Sequence, residues 1–286
     1  MKQKLCYLCK SKKYSLRPGR VRDAQNLEIR ECNKCGLVFL STDAHIDIKH
    51  YENSGMFGSK LPSIDEVLKT TSVDDNRRFE TLKEIIVNKS LLDFGCGSGG
   101  FLIKARNLAK NVAGVELEKR VRSYWLGKLK IYGNLSSIKE KYDVITAFHV
   151  IEHLNDPRKT IRELLSILTK SGRLIIEVPS SDDALLTLYK CKSFQKFTYW
   201  SHHLYLFNSS TLSKIAKQAG ALITGIKQIQ RYPLSNHLYW LSNGKPGGHA
   251  KWKFFETDVL HEAYSSALSS LGKCDTILAF LEKKDS

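Results

Sequence analysis

Hydrophobic and polar residues alternate along this chain with two different periods, which predict its strands and helices. Short apolar runs of strand length lie at 37–40, 90–94, 112–116, 129–132, 143–148, 173–178, 222–229 and within 274–283. Apolar residues at helical spacing predict helices at 76–87, 99–109, 118–126, 157–169 and 209–220. Because strands and helices take turns through the middle of the chain, the pattern predicts an α/β fold, with a parallel sheet covered by helices on both faces.

Two segments follow neither period. Residues 41–75 are polar and predict an irregular connection that leads into the sheet. Residues 231 to about 270 form an insertion between the last two strands, rich in aromatic side chains and histidine. Hydrogen-bond donors on its glycine-containing loop suit a phosphate or a sugar, and its aromatic side chains suit stacking on a sugar or a base. A lid that only packs, or a dimer surface, explains the same composition equally well.

Composition narrows the class of protein and of partner. The 286 residues suffice for one large α/β domain with a small appendage, and no apolar run approaches the roughly 20 residues that span a bilayer. The first residues lack the apolar core of a signal peptide, so we expect a cytoplasmic protein without membrane insertion. The formal charge of +16 favours an acidic partner, although scattered basic residues are also typical of a solvated lysine-rich surface.

Four of the seven cysteines lie near the N-terminus in two C-x-x-C pairs: Cys6, Cys9, Cys32 and Cys35. Two such pairs separated by a loop place four thiolates at the corners of a tetrahedron, the arrangement that a structural zinc ion prefers. Disulfides are the competing explanation, and a reducing cytoplasm disfavours them. Because four sulfurs leave no open coordination position, we predict a structural zinc-binding module over residues 1–45.

The stretch LLDFGCGSGGFL, residues 91–102, places an aspartate and four glycines at the exit of a predicted strand. Gly95, Gly97 and Gly99 fit the turn that holds a nucleotide cofactor at the carboxyl end of a strand. Glu116 ends the next strand, where an acidic residue binds ribose hydroxyls. The glycines suit a nicotinamide dinucleotide and S-adenosylmethionine alike. Asp93 favours S-adenosylmethionine, because a carboxylate repels a pyrophosphate and attracts the ammonium group of a methionine moiety.

From residue 76 to about 230, and in its last strand, the chain resembles the class I S-adenosylmethionine-dependent methyltransferases. LLDFGCGSGGFL resembles the first motif of that family, VAGVELE (112–118) the second, and YDVITAFHVIEHL (142–154) the fourth-strand motif of its small-molecule branch. The resemblance implies a Rossmann-like sheet of seven strands with helices on both faces. The cofactor-binding residues that it implies are Asp93 and the turn Gly95–Gly99 for the methionine part, Glu116 for the ribose, Asn134 near the adenine, and Phe148.

The N-terminal part resembles a smaller group within this family. CNKCGLVFL (32–40), followed by HYENSGM (50–56) and this domain, is similar to the zinc-containing methyltransferases that modify sugars in bacterial surface-polysaccharide and secondary-metabolite pathways. WSHHLYLFNSSTL (200–212) resembles the segment of those enzymes that carries acceptor-side catalytic residues. Those enzymes usually have a Glu-His pair where this chain has His202 and His203, and they carry a large C-terminal domain that this sequence does not contain. Both departures leave the methylated atom, carbon or oxygen, open.

Methylation of a hydroxyl, or of a carbon beside a carbonyl, requires a base, and histidine has a suitable pKa. We predict His202 or His203 as that base. His149 follows the fourth strand and is expected to face the cofactor, and the resemblance adds Tyr51 on the acceptor side. His153 is expected to have a structural role.

The favoured function is methylation of a sugar, a nucleotide-linked sugar or a related small acceptor. We expect residues 76–286 to form the methyltransferase domain and residues 46–75 to form a connector on the substrate side. The main alternative is an RNA methyltransferase, because zinc modules precede some of these enzymes and a charge of +16 helps to bind phosphates. A catalytically idle scaffold protein of glycan assembly is the third interpretation, and a dehydrogenase is the last.

Overall fold

The computed structural model describes residues 4–46, 48–57 and 61–284. Residues 1–3, 47, 58–60 and 285–286, which belong to the predicted zinc-binding module, connector and C-terminal end, lie outside the described residues. The strands are β1 (Tyr14–Leu16), β2 (Ile29–Cys32), β3 (Val38–Leu40), β4 (Ser90–Phe94), β5 (Asn111–Val115), β6 (Lys130–Tyr132), β7 (Tyr142–Phe148), β8 (Leu168–Pro179), β9 (Tyr205–Leu206), β10 (Ala221–Ile229) and β11 (Thr276–Lys283). The helices are α1 (Ile48–Glu52), α2 (Ile64–Ile86), α3 (Gly100–Ala105), α4 (Lys119–Trp125), α5 (Pro157–Ser166), α6 (Ala184–Thr187), α7 (Lys192–Gln195), α8 (Ser209–Gln218), α9 (Leu234–Asn243), α10 (Gly248–Lys251) and α11 (Asp258–Ser270).

A sheet of seven strands, in the order β10-β11-β8-β7-β4-β5-β6, forms the centre of the molecule. The pairs β8–β7, β7–β4, β4–β5 and β5–β6 are parallel, whereas β11 is antiparallel to both β8 and β10. The central strands are apolar on both faces, and Leu92, Ile145 and Ile176 are completely buried because helices cover the sheet on each side. The predicted α/β fold with a seven-stranded sheet is confirmed.

The parallel strands β4, β5 and β7 end at the same edge of the sheet, and this edge positions the candidate site. Asp93 near the end of β4 lies beside Gly114 of β5 and Thr146 of β7. The glycine turn, the end of β5 and the loop after β7 therefore meet at one place, as ligand sites in open α/β sheets do.

A second, antiparallel sheet joins the N-terminal strands to the large domain in the order β1-β2-β3-β9. Its last strand, β9, belongs to the segment that follows His202 and His203, and it pairs Leu206 with Val38 and Tyr205 with Phe39. The N-terminal part is therefore not a separate appendage, since its sheet is completed by a strand from beyond residue 200.

The predicted irregular connection over residues 41–75 is wrong in its second half. Helix α2 begins at Ile64, not at residue 76, and extends over 23 residues. Ser63 caps it: its hydroxyl accepts a hydrogen bond from the Glu66 N–H, and the Glu66 carboxylate accepts one from the Ser63 N–H. This S-x-x-E capping box was a readable signal, but the first turns of α2 are largely polar and resemble a loop.

Other element boundaries differ less from the predictions. Helices α3 and α5 end at Ala105 and Ser166, before the predicted 109 and 169, and β8 begins at Leu168, before the predicted 173. The insertion after β10 is helical and contains α9, α10 and α11. None of the helices among the described residues has both the length and the apolar character needed to cross a membrane.

Candidate active site

The glycine turn after β4 fits closely against its neighbours on one side and is open on the other. Gly95, Gly97 and Gly99 have positive φ angles of 71°, 51° and 83°, which favour glycine. A Cβ atom at Gly95 would lie 2.4 Å from Val150 Cγ2, whereas one at Gly97 would have no neighbour within 4 Å. The turn therefore leaves an open side at Gly97, as a cofactor-binding turn requires.

A cavity of about 240 Å³ lies over this open side. The predicted cofactor residues Asp93, Gly95, Gly97 and Phe148 line it, together with His149. Asp93 is only 3% exposed and accepts a hydrogen bond of 2.7 Å from the Thr146 hydroxyl. Burial raises the pKa of Asp93 to about 7, and the Thr146 hydrogen bond opposes that rise. An ammonium group in the cavity would favour the ionised carboxylate, so the site suits the methionine end of S-adenosylmethionine.

Glu116 is fixed at the end of β5 by two backbone donors. Its carboxylate accepts hydrogen bonds of 2.9 Å from the Gly97 N–H and 2.9 Å from the Glu118 N–H, one on each oxygen. Burial raises the pKa of Glu116, and these two hydrogen bonds oppose the rise. Each oxygen keeps a second lone pair, which is what a ribose hydroxyl needs.

Asn134 lies apart from the other predicted cofactor residues. It lines a neighbouring cavity of about 470 Å³, together with Phe94 and Leu117. Its Oδ1 atom accepts hydrogen bonds from the Ser137 N–H (3.0 Å) and from the hydroxyls of Ser136 (2.7 Å) and Ser137 (2.9 Å). The side-chain oxygen therefore serves the turn that follows β6, and a contact with adenine remains a prediction.

Helix α2 covers the cofactor cavity, and a buried ion network holds it there. Glu177 of β8 is completely buried and accepts two hydrogen bonds of 2.9 Å from Arg77. Arg78, which also lines the cavity, donates to the same carboxylate at 2.8 and 3.0 Å. Asp74, one turn earlier, pairs with Arg231 of the insertion. Burial alone would raise the pKa of Glu177, but the contact with His149, together with the charge of Arg78 and the hydrogen bonds from Arg77, keeps it well below its ordinary value.

Sequence reasoning missed most of this network. Arg231 is the first residue of the insertion, for which the sequence predicted donors only in general terms, and the network residues of α2 lie within or next to the predicted irregular connection. The signals were present: a lone glutamate in the apolar strand sequence LIIEVP, and the charged run DDNRR (74–78). A charge inside a buried strand is almost always paired.

His149 lies where the cofactor cavity meets this network. Its backbone has a positive φ of 54°, and its ring lies between two carboxylates, 3.3 Å from Glu152 and 3.3 Å from Glu177. Burial lowers the pKa of His149, but the two carboxylates raise it more, so the net shift is upward. The ring of His149 is 3.4 Å from an Nη atom of Arg231. Since Arg231 lines a second cavity, His149 separates the two cavities.

This second cavity has a volume of about 250 Å³ and mixes polar and aromatic side chains. It is lined by His203, Arg22, Arg231 and Asp183, among others, and by the rings of Phe194, Phe197, Tyr232 and Trp240. The Arg22 guanidinium, contributed by the N-terminal part, lies 5.0 Å from the Trp200 ring centre and 5.4 Å from that of Phe197. A cavity of this size, next to the cofactor cavity, is the candidate acceptor site.

The predicted acceptor-side residues come together around His153, but their positions differ. His203 lines the second cavity. His202 does not; its ring is 3.4 Å from the Ser201 hydroxyl, and its carbonyl oxygen accepts a hydrogen bond of 2.9 Å from Nδ1 of His153. Tyr51 packs edge-on against His153 and His202, with ring centres 6.4 Å apart in both cases. His203 is thus the better placed of the two predicted bases.

The four N-terminal cysteines form a compact cluster. Their sulfur atoms all lie within 4.8 Å of one another, with 3.5 Å between Cys6 and Cys35 and 3.4 Å between Cys9 and Cys32. All four are free thiols, since these distances exceed a disulfide bond. Both C-x-x-C pairs have the same turn: the N–H of the residue after each pair, Lys10 or Gly36, donates to the carbonyl of its first cysteine. Four convergent sulfurs on two matched turns fit a tetrahedral metal ion.

Comparison with known proteins identifies the large domain. A family profile described as "Methyltransferase domain" matches residues 71–224, more than half of the chain. A ubiquinone biosynthesis O-methyltransferase of Aeromonas salmonicida (strain A449) is 22% identical over 218 residues, which cover 69% of this chain and 91% of that protein. A tRNA U34 carboxymethyltransferase of Campylobacter hominis is 29% identical over 136 residues, covering 42% of this chain and 48% of that protein.

Solved structures agree on the fold. Magnesium protoporphyrin IX methyltransferase from Synechocystis PCC 6803, with bound SAH, superimposes with a TM-score of 0.50 at 15% identity, covering 85% of this chain and 100% of that chain. An O-methyltransferase family protein from Burkholderia thailandensis gives 0.52 at 13% identity, covering 83% and 64%. Of the two cofactor classes that the glycines left open, the family decides for S-adenosylmethionine. The chain belongs to the methyltransferase-domain family and is an S-adenosylmethionine-dependent methyltransferase.

Proposed function

We propose that the chain methylates a small polar acceptor, most simply a sugar or a nucleotide-linked sugar, bound in the cavity lined by His203 and Arg231. The observation that carries this proposal is the pair of adjoining cavities, one over the glycine turn and one beyond His149. A volume of about 250 Å³ is at the small end of ligand sites, which fits one sugar ring better than a folded nucleic acid.

The lining of the acceptor cavity supports a sugar that carries an anionic group. Aromatic rings such as Trp240 and Phe194 offer apolar faces, and His249 and Asn236 offer hydrogen-bonding groups around them. Arg22 lies over the rings of Trp200 and Phe197 and makes no ion pair among the described residues, although the charge of the neighbouring Asp23 acts on it, so its guanidinium can bind a phosphate. We propose that the N-terminal part contacts the acceptor through this side chain.

The protein's contribution to the reaction is mainly alignment and exclusion of water. S-Adenosylmethionine, when bound, supplies an already activated methyl group. We propose that Asp93 and the turn at Gly95–Gly99 hold its methionine part, that Glu116 holds its ribose, and that Phe148 packs against it. Helix α2 covers the cavity and is held there because Arg77 and Arg78 bind Glu177. The acceptor must lose a proton, and His203 is the predicted histidine that faces the acceptor cavity.

We further propose that Cys6, Cys9, Cys32 and Cys35 hold one structural zinc ion. The closed set of four sulfurs leaves no position for substrate. The role of the ion would be to hold β2 and β3, and therefore β9 and the segment with His202 and His203, in place.

RNA is the second candidate acceptor. The net charge of +16 and the similarity to a tRNA U34 carboxymethyltransferase favour it. The two acceptors differ in the surface they need, because RNA would have to place one flipped or unpaired base in the small cavity.

The test is transfer of labelled methyl groups from S-adenosylmethionine into separated cell fractions, with the Asp93→Ala variant as the control. Label in the nucleotide-sugar or glycan fraction that is lost in Asp93→Ala is the expected result. Label that nuclease removes would instead select RNA. Label in neither fraction would contradict both proposals.

A further inference from the structure

Two buried side chains behind the acceptor cavity, Glu152 and His153, converge with the half-buried His203, and each keeps a potential ligand atom free for a cation. Glu152 and His153 belong to the 3-10 turn Ile151–His153 after β7, and His203 belongs to the loop before β9. Each offers one potential ligand atom, and these three atoms lie within 4.8 Å of one another. The triad is separate from the four cysteines.

The hydrogen bond of His153 fixes the direction of its free lone pair. Its Nδ1 atom is 2.9 Å from the carbonyl oxygen of His202, and a carbonyl can only accept, so Nδ1 carries the hydrogen. The lone pair is then on Nε2, which lies 4.0 Å from Oε1 of Glu152. A backbone carbonyl that orients a histidine in this way is the usual outer-shell partner of a metal ligand.

Glu152 is the least satisfied of the three. Its side chain is completely buried, yet neither carboxylate oxygen has a hydrogen-bond partner among the described residues. The nearest cationic group is Nδ1 of His149, 3.3 Å from Oε1 but outside hydrogen-bond geometry. Nδ1 of His203 is likewise buried without a partner. Apart from the ion-pair contact with His149, this buried carboxylate has no donor, which is costly, and a cation between these acceptors would lower that cost.

We infer that Glu152, His153 and His203 form a second metal site, for a divalent cation such as Zn²⁺, with a coordination position open towards the acceptor cavity. Two imidazole nitrogens and one carboxylate oxygen are a ligand set of catalytic zinc and of related transition-metal ions, and three protein ligands leave room for one more. The open side follows from His203, which lines the cavity.

This inference rests on the proposed function, because it gives the open position to an oxygen of the acceptor. An acceptor hydroxyl would bind there through one lone pair of its oxygen; when its O–H bond breaks, the electron pair of that bond stays on the oxygen as a new lone pair, and the proton passes to solvent water. A cation lowers the pKa of a bound hydroxyl in this way, so that no side chain has to act as a strong base. His203 is then a ligand and not the base.

The test uses the full chain with zinc in its cysteine site and Co²⁺ as the probe. We expect the protein to take up one equivalent of Co²⁺, with the weak visible absorption of nitrogen and oxygen ligation. Uptake should be lost in Glu152→Gln and in His203→Gln and retained in His202→Gln, a neighbouring histidine outside the triad. Affinity for S-adenosylhomocysteine serves as the check that each variant is folded.

A fourth variant gives a gain of signal. In His203→Cys a thiolate would replace the imidazole, and direct ligation would add a sulfur-to-cobalt charge-transfer band in the near ultraviolet. Absence of Co²⁺ uptake by the unaltered chain, or uptake that persists in both Glu152→Gln and His203→Gln, would overturn the site. Metal uptake is measured without any acceptor, so if the site binds Co²⁺ but no sugar is methylated, only the proposed function fails.

Discussion

The cofactor half and the acceptor half of this site are built in opposite ways. The part of the cofactor half with Asp93, the glycine turn and Glu116 comes from one continuous stretch, residues 91–116, and α2 with the end of β7 completes the cavity. The acceptor half is assembled from distant segments: the loop with Arg22, the turn with Glu152 and His153, the loop with His203, and the insertion with Arg231.

The difference explains which half tolerates variation. A turn fixed by local backbone geometry needs its glycines wherever the fold occurs, so its sequence is recognisable. A cavity lined by loops from several places can change its acceptor by changing any one of them. In this chain the small sheet β1-β2-β3-β9 holds these loops together, because β9 begins two residues after His203. The acceptor half should therefore depend on the cysteine cluster, whereas the cofactor half should not.

The largest expected effect separates the two halves most sharply. Cys32→Ser removes one of the four proposed zinc ligands, and structural zinc contributes on the order of 10 kcal/mol in small zinc modules. We expect methyl transfer to be lost and hydrogen exchange to speed up in β3 and β9, while the affinity for S-adenosylhomocysteine stays unchanged. Isothermal titration calorimetry and exchange mass spectrometry measure the two responses.

The matched control is Cys191→Ser. Cys191 is buried and stands at the cap position before α7, where serine is favoured, so exchange in β9 should not change. Protection of β9 that survives Cys32→Ser would show that the acceptor half holds itself together without the cluster.

The next effect lies within the cofactor half and compares two glycines. Gly95 and Gly97 both have positive φ, so alanine strains the backbone at either position by about 1 kcal/mol. Only the Cβ at position 95 meets a neighbour, Val150 Cγ2 at 2.4 Å, which adds roughly 1–3 kcal/mol for overpacking.

Urea unfolding should therefore show the larger loss of stability in Gly95→Ala. Gly97→Ala should fold nearly as well but bind S-adenosylhomocysteine more weakly, because its added methyl group enters the open side of the turn. Equal stability of the two variants would mean that Val150 moves away without cost.

A third effect concerns the charge of the cofactor half. Asp93→Asn keeps the shape and an oxygen for the Thr146 hydroxyl but removes the negative charge. A charged hydrogen bond contributes about 1.5–3 kcal/mol, so we expect a roughly 10- to 100-fold weaker affinity for S-adenosylmethionine. Asp143→Asn is the control, since Asp143 contacts Ser90 at the opposite edge of the same sheet. If the affinity of Asp93→Asn changes only slightly, the methionine ammonium binds another carboxylate, such as Asp75, which also lines the cavity.

The sequence predicted the cofactor half because its information is local. Asp93, Gly95 and Phe148 line one cavity, and Asp93 and the glycine turn belong to one short motif of the sequence. The C-x-x-C pairs are local in the same sense, and the four sulfurs converge as expected. In both cases a short local motif, the glycine turn or the C-x-x-C pair, made the site recognisable in the sequence.

The acceptor half could not be predicted in the same way, because its contacts join residues far apart in the chain. The pairing of Asp74 with Arg231, and the approach of His203 to Glu152, depend on how α2, β9 and the insertion pack, which no periodicity encodes. His202 and His203 are adjacent in sequence, so the sequence predicted either as the base. The fold separates them, because only His203 reaches the acceptor cavity.

The smallest expected effect tests whether Asp183, in the acceptor half, is protonated and therefore uncharged in the folded protein. Asp183 lines the acceptor cavity and is 6% exposed, and burial, with a smaller contribution from the Asp275 carboxylate, raises its pKa to about 8 from an ordinary 3.8. Because the folded state holds this proton more tightly than the unfolded state, raising the pH through this window costs stability, by at most about 1.4 kcal/mol per pH unit. The slope vanishes once both states are ionised, above the folded pKa.

Asp183→Asn removes the titrating carboxyl group. The asparagine keeps a side-chain oxygen that can accept the hydrogen bond from the Leu185 N–H, as Asp183 does. Urea unfolding at pH 6, 7 and 8 should therefore show the variant gaining stability relative to the unaltered chain as the pH rises. Asp182→Asn, at the neighbouring and less buried position, is the control for the loss of an aspartate in this loop. If Asp183→Asn and the unaltered chain have parallel pH profiles, Asp183 is ionised in the folded protein, and the acceptor cavity carries a fixed negative charge that would oppose a phosphate.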